Sequence, residues 1–142
     1  MTRCRSLYVA VLAASLGAVT ACGSDTPTTP TPTTPTTFTE VFTGTLTPNG
    51  ATNHSFIAQS SGTVTLTLTT VAPDATVAIG IALGTWTGSA CQIVIANDRA
   101  LQGAVLNGAV GQAGSLCVRA YDAAGSLAAG TAVTYEFTVV HP

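Results

Sequence analysis

The sequence predicts an all-β fold for residues 38–142, an antiparallel β-sandwich or jelly roll of about seven to nine strands. Apolar residues recur with period two: in the run Gly62–Thr69, Val64, Leu66 and Leu68 share one face while Thr63, Thr65, Thr67 and Thr69 share the other. Turn signals separate such runs, at Pro48-Asn49-Gly50, Ser61-Gly62, Pro73-Asp74, Asn97-Asp98, Asn107-Gly108, Ala113-Gly114 and Ala124-Gly125. No stretch after residue 37 sustains a capped helical period, so nothing supplies the crossover helices a parallel sheet needs. With 142 residues, 46% of them apolar, the chain can bury one ordinary core.

Residues 1–21 read as a secretory signal. Arg3 and Arg5 precede an apolar run, Leu7 to Val19, whose thirteen residues reach about 20 Å as a helix, short of the ~30 Å hydrocarbon core of a bilayer. The run closes with Val19-Thr20-Ala21-Cys22, which resembles a bacterial lipobox. The resemblance implies a diacylglyceryl group on the sulfur of Cys22, cleavage before it, and acylation of the new amine; the other reading is an ordinary signal cut after Ala21. Two or three acyl chains anchor a protein lastingly where one holds it marginally. Gly23, rather than Asp, after the cysteine implies the outer membrane where a cell has two. The expected setting is the cell envelope, outside the cytoplasm. Cys4 leaves with the signal.

Residues 22–37 form the expected tether. Thr26 to Thr37 is eight threonines and four prolines, with nothing to enter a core and with backbone donors removed at each proline. Fifteen residues from Gly23 to Thr37, at about 3.1 Å each in polyproline II, span some 45 Å. Composition leaves open whether this stalk is O-glycosylated.

Within the folded part, strands are expected around Phe42 to Leu46, His54 to Ala58, Gly62 to Thr69, Val77 to Leu83, Ile93 to Ile95, Leu116 to Ala120 and Val133 to Val139. Cys91 and Cys117 are the cysteines left in this domain. In an oxidising compartment they are expected to pair, closing a 27-residue loop worth roughly 3 to 3.5 kcal/mol; two buried free thiols are the alternative.

Several of these segments, Phe42-Thr43-Gly44-Thr45-Leu46, Asn53-His54-Ser55-Phe56, Ser61 to Leu66, Ala113 to Asp122 and Thr134 to Val139, resemble the bacterial pre-peptidase C-terminal domain. The resemblance covers about residues 38–141. It implies a non-catalytic sandwich, in a family some of whose members bind polysaccharide, fibrous protein or calcium. Members usually accompany a secreted enzyme, and here no enzyme precedes the domain in the sequence given.

The chemistry-bearing residues are few. All four basic residues are arginines, two of them in the signal, so a phosphate-reading basic patch and nucleic-acid binding are excluded. Neither His54 nor His141 sits in a nucleophile–base motif: His54 reads as a strand-face residue and His141 as a fraying end. No enzyme and no cofactor are expected, and zinc lacks a ligand set. Asn97-Asp98 and Tyr121-Asp122 are read as turn-forming residues, with calcium ligation as the competing reading. Asp98, Arg99 and Arg119 could instead form an ion pair. Trp86, in Gly84-Thr85-Trp86-Thr87-Gly88, is read as a loop residue, either a lid on the core or a ligand contact. The expected partners are the membrane, through the lipid, and a polysaccharide or envelope protein. A carbohydrate- or matrix-binding accessory module is the alternative function, and a hydrolase the least supported.

Overall fold

A computed structural model describes residues 36–142. The signal segment, Cys22 and almost all of the tether lie outside the described residues. Eight strands follow one another: β1 (Phe38–Leu46), β2 (Ala51–Ala58), β3 (Gly62–Ala72), β4 (Ile79–Trp86), β5 (Cys91–Ala100), β6 (Val105–Val110), β7 (Gly114–Tyr121) and β8 (Val133–His141). They form two four-stranded antiparallel sheets, ordered β1-β8-β3-β6 and β2-β7-β4-β5. The pairing is nested: β1 with β8, β2 with β7, β3 with β6 and β4 with β5. A long hairpin folded over on itself gives this wiring, the jelly-roll form of the sandwich. Every connection crosses between sheets except β4 to β5.

The threonine alternation becomes geometry in the first sheet. Val64, Leu66 and Leu68 of β3 are buried against Val133, Tyr135, Phe137 and Val139 of β8, and the facing sheet adds Phe56, Ile79, Ile81, Leu116 and Val118. The outer side of the first sheet is built largely of threonines. Thr65 donates to Asn107 Oδ1 at 2.9 Å, and Thr69 and Thr138 share a 2.8 Å bond between hydroxyls.

Two turn assignments read from the sequence are corrected. Asn107-Gly108 lies inside β6, a strand the hydrophobic pattern did not reveal. Gly108 faces the core, and a Cβ there would stand 2.6 Å from a methyl of Leu83 on the opposing sheet, so the glycine serves packing between sheets rather than a turn. Asn97-Asp98 lies inside β5. Ile79 faces Ala100 and Ile81 faces Asn97, so Gly80 stands opposite two residues, Asp98 and Arg99, in a β-bulge. A second bulge on β5 leaves Val94 extra between Ile93 and Ile95. Val77, expected within a strand, precedes β4 and donates its N–H to Asp74 O at 3.2 Å.

Cys91 and Cys117 are disulfide-bonded, with Cα atoms 5.7 Å apart. They lie on β5 and β7, the strands on either side of β4, where two strand spacings would separate them by about 9.5 Å. The start of β5 is therefore drawn across the outer face of β4. Gly84 makes room for it, since a Cβ there would overlap the carbonyl oxygen of Gln92.

Candidate functional site

The outer face of the second sheet differs from the threonine face. Along β4 every residue from Ile79 to Gly84 is buried, although Gly80, Ala82 and Gly84 alternate with the core residues. Their cross-strand partners on β7 are Tyr121, Arg119 and Cys117. The Tyr121 ring lies on Gly80, where a Cβ would overlap it. The guanidinium of Arg119 stands 5.8 Å from the centre of that ring, within cation–π range. Arg119 Nε is buried and has no hydrogen-bond partner among the described residues.

At the Gly80 end this face opens into a cleft of about 620 Å³, lined by Ala78, Asp98, Arg99, Tyr121, Asp122, Ala123, Ala124 and Ser126. The bulge opposite Gly80 explains why two consecutive residues of β5, Asp98 and Arg99, both reach it: adjacent residues of a regular strand point to opposite faces. The Tyr121 hydroxyl donates to Asp98 Oδ1. Burial first, and then the bond to and charge of Asp98, push the Tyr121 phenol up to about 12, with Arg119 acting in the other direction.

Asp122, on the floor of the cleft, turns inward. Its Oδ2 accepts the Asn49 N–H at 2.8 Å, and its Oδ1 accepts the Leu127 N–H at 3.1 Å and the Ser126 hydroxyl at 3.0 Å. Burial pushes this carboxyl up, but those donors outweigh it and hold the group below the usual carboxylate range. Asp122 thus pins the β1–β2 turn to the segment after β7, where the Asp122 N–H also donates to Gly50 O at 3.0 Å. The two loop pairs considered for calcium are therefore brought to one cleft without pooling their carboxylates. Asp98 engages Tyr121, Asp122 is consumed by the backbone, and Asn97 Oδ1 accepts the Arg99 N–H at 3.0 Å. No group of three or more His, Cys, Asp or Glu side chains is gathered for a metal among the described residues. The ion pair considered for Asp98 is replaced by the tyrosine bond.

The histidines lie elsewhere. His54, on β2, is half-buried. Its Nε2 is 2.8 Å from the hydroxyl of Tyr135, a core residue on β8 that fits only because Gly44 has no side chain to overlap it. The His54 ring stacks on Phe42, centroids 5.2 Å apart, and burial lowers its pKa. His141, expected to fray, is instead among the most buried polar residues, 2% exposed. Its Nε2 is 3.0 Å from Glu40 Oε1, and its ring packs on Phe56 and Phe38 with centroids at 4.9 and 5.8 Å. The residue is held because it pairs with Phe38, the first residue of β1. Each imidazole has a structural partner, and neither stands beside a serine or cysteine nucleophile among these contacts.

Trp86, read as a loop residue, closes β4 opposite Cys91 and is half-buried. It is remote in register from the cleft, at the other end of β4 from Gly80. The sequence carries one signal for the cleft: a polar Asn-Asp-Arg run inside an otherwise apolar strand marks a bulge as readily as a turn. Cys22 lies outside the described residues. No protein-family model matches this chain, and no curated protein matches it.

Proposed function

We propose that this chain is a lipid-anchored, extracytoplasmic β-sandwich acting as a non-catalytic binding module of the cell envelope. In this reading Cys22 carries the lipid, residues 23–37 hold the sandwich off the bilayer, and the cleft beside Tyr121 is the ligand site. The observation that carries the binding role is the β5 bulge, which turns an acid and an arginine into one cleft around a clamped tyrosine. Bulges recur beside functional sites because they re-aim side chains. The lipobox resemblance at Val19 to Cys22 supports the anchor, and an outer membrane is its expected location where a cell has two. Cys22→Ala is expected to move the protein from the membrane to the soluble fraction, and retention of that variant in membranes would overturn the anchor.

A carbohydrate- or matrix-binding role is the second reading. It is favoured by the half-buried Trp86 at the end of β4 and by the resemblance over residues 38–141. Pull-down on insoluble glycans with Trp86→Ala as control separates the two: loss of retention in that variant places the ligand at Trp86 and away from the Tyr121 cleft.

A further inference from the structure

We infer that the Tyr121 cleft recognises an α-amino-acid group, an ammonium and a carboxylate on one carbon, with Asp98 receiving the ammonium and Arg99 the carboxylate. The inference deepens the binding role proposed above and rests on it.

Three features point to a small zwitterion. First, the charges are paired: Asp98 and Arg99 are consecutive, opposite in sign, exposed and delivered to one cleft by the bulge opposite Gly80. A ligand carrying one charge would leave the other group unanswered, whereas a zwitterion satisfies both. An Arg fork also suits a carboxylate, which it can hold through two parallel bonds. Second, the acid is oriented before any ligand arrives. Tyr121 donates to Asp98 Oδ1, leaving Oδ2 as acceptor, and Tyr121 is itself fixed by Gly80 beneath it and Arg119 beside it. Preorganisation of this kind lowers the ordering cost of binding. Third, the other acid in the cleft is spent. Asp122 accepts from two backbone N–H groups and a hydroxyl, so Asp98 is the carboxylate left with an oxygen to meet a ligand's ammonium.

The same geometry argues against sugar stacking here, because Gly80 packs on the Tyr121 ring and the Arg119 guanidinium stands 5.8 Å from its centre, leaving less of the ring to a pyranose. A volume of about 620 Å³ exceeds what one small amino acid fills, so the group can arrive free or as a branch on a larger cell-wall peptide.

The test uses residues 38–142, which contain the whole core and its disulfide. Binding is followed by NMR shifts of the cleft amides with four probes: alanine, alanine amide, N-acetylalanine and glucose. Alanine is expected to saturate the cleft, with at least tenfold weaker binding for the amide, which lacks the carboxylate, and for the acetyl compound, which lacks the ammonium. Asp98→Asn should abolish the preference for alanine over N-acetylalanine, and Arg99→Gln the preference over the amide, each with the sandwich's dispersed spectrum retained. A second arm adds muramidase-solubilised cell-wall peptides: competition with alanine places the group on a polymer, and its absence places it on a free amino acid. Equal binding of the blocked probes, binding of glucose at the same amides, or no shift with alanine overturns the inference. The Cys22→Ala fractionation reads the anchor separately, so the two readings fail independently.

Discussion

The two outer faces of this sandwich start from similar backbone and end as different surfaces. On the first sheet, β-branched threonines alternate with core residues along β3 as far as a bulge at Thr69, and threonine hydroxyls bond across strands, Thr69 with Thr138 and Thr65 to the Asn107 amide oxygen. On the second, β4 presents Gly80, Ala82 and Gly84, and larger groups from its neighbours close over them: Tyr121, Arg119 and the Cys91–Cys117 disulfide. Outward positions that mostly carry full-sized side chains give a largely threonine surface that screens the strands beneath. Removing those side chains from one central strand lets an aromatic ring, a guanidinium and the backbone of an edge strand lie against the sheet. The cleft follows from that absence of bulk as much as from its charged residues.

The comparison breaks most severely at Gly84. Gly84→Ala should push the Cβ into the Gln92 carbonyl, a backbone group with no rotamer to yield, and the cost is expected to reach about 3 kcal/mol or more, read as a collapse of the denaturant midpoint or loss of folded protein. On the other face, Thr67→Val should change stability by no more than about 0.5 kcal/mol. Next in size is the disulfide. Cys91→Ala with Cys117→Ala is expected to lose roughly 3 to 3.5 kcal/mol on the loop-entropy argument, measured by urea unfolding of the double variant against the oxidised chain. Asp122→Ala follows at about 1–3 kcal/mol, because two backbone N–H groups lose their acceptor. Its carboxyl is held below the unfolded value, so the stability it gives is present above the unfolded pKa near 4 and is lost as pH falls through the folded one. In Asp122→Asn that acid-side loss should shrink.

How much of this was legible depends on what each residue answers to. The alternation in Gly62–Thr69 answers to burial alone, and it located β3 and the sandwich class. The Cys91 and Cys117 pairing follows from their being the domain's two cysteines, although nothing local says that they bridge across β4. Gly108 and Asn97-Asp98 are ambiguous from sequence because glycine and asparagine carry the same local signal in a turn, at a close approach between sheets and in a bulge; which applies is settled by Leu83 and Gly80, distant in sequence. His141 looked free by position, yet its pairing with Phe38 and its contact with Glu40 span almost the whole described chain. Period-two reading recovers what a strand owes to its own sheet. It misses what a strand owes to partners distant in sequence, on the neighbouring strand as at Gly80 and Phe38 or across the sandwich as at Leu83.

The mildest perturbation is also the sharpest probe of the cleft. At Gly80 an added Cβ meets the Tyr121 ring, a side chain that can swing aside, so Gly80→Ala should leave the fold intact where Gly84→Ala does not. Moving the ring separates the phenol from Asp98 and from the surface that desolvates it. The Tyr121 pKa, pushed up to about 12 by those two effects, should then fall toward the ordinary tyrosine value near 10. Asp98→Asn should lower it by a smaller step, since burial, the larger cause, remains. Ultraviolet titration of the phenolate, with Tyr121→Phe to identify the signal, reads both. If the pKa in Gly80→Ala stays where it is in the parent, the ring is not held by its seat on Gly80, and the account of the second face as a trough filled from the side loses its main support.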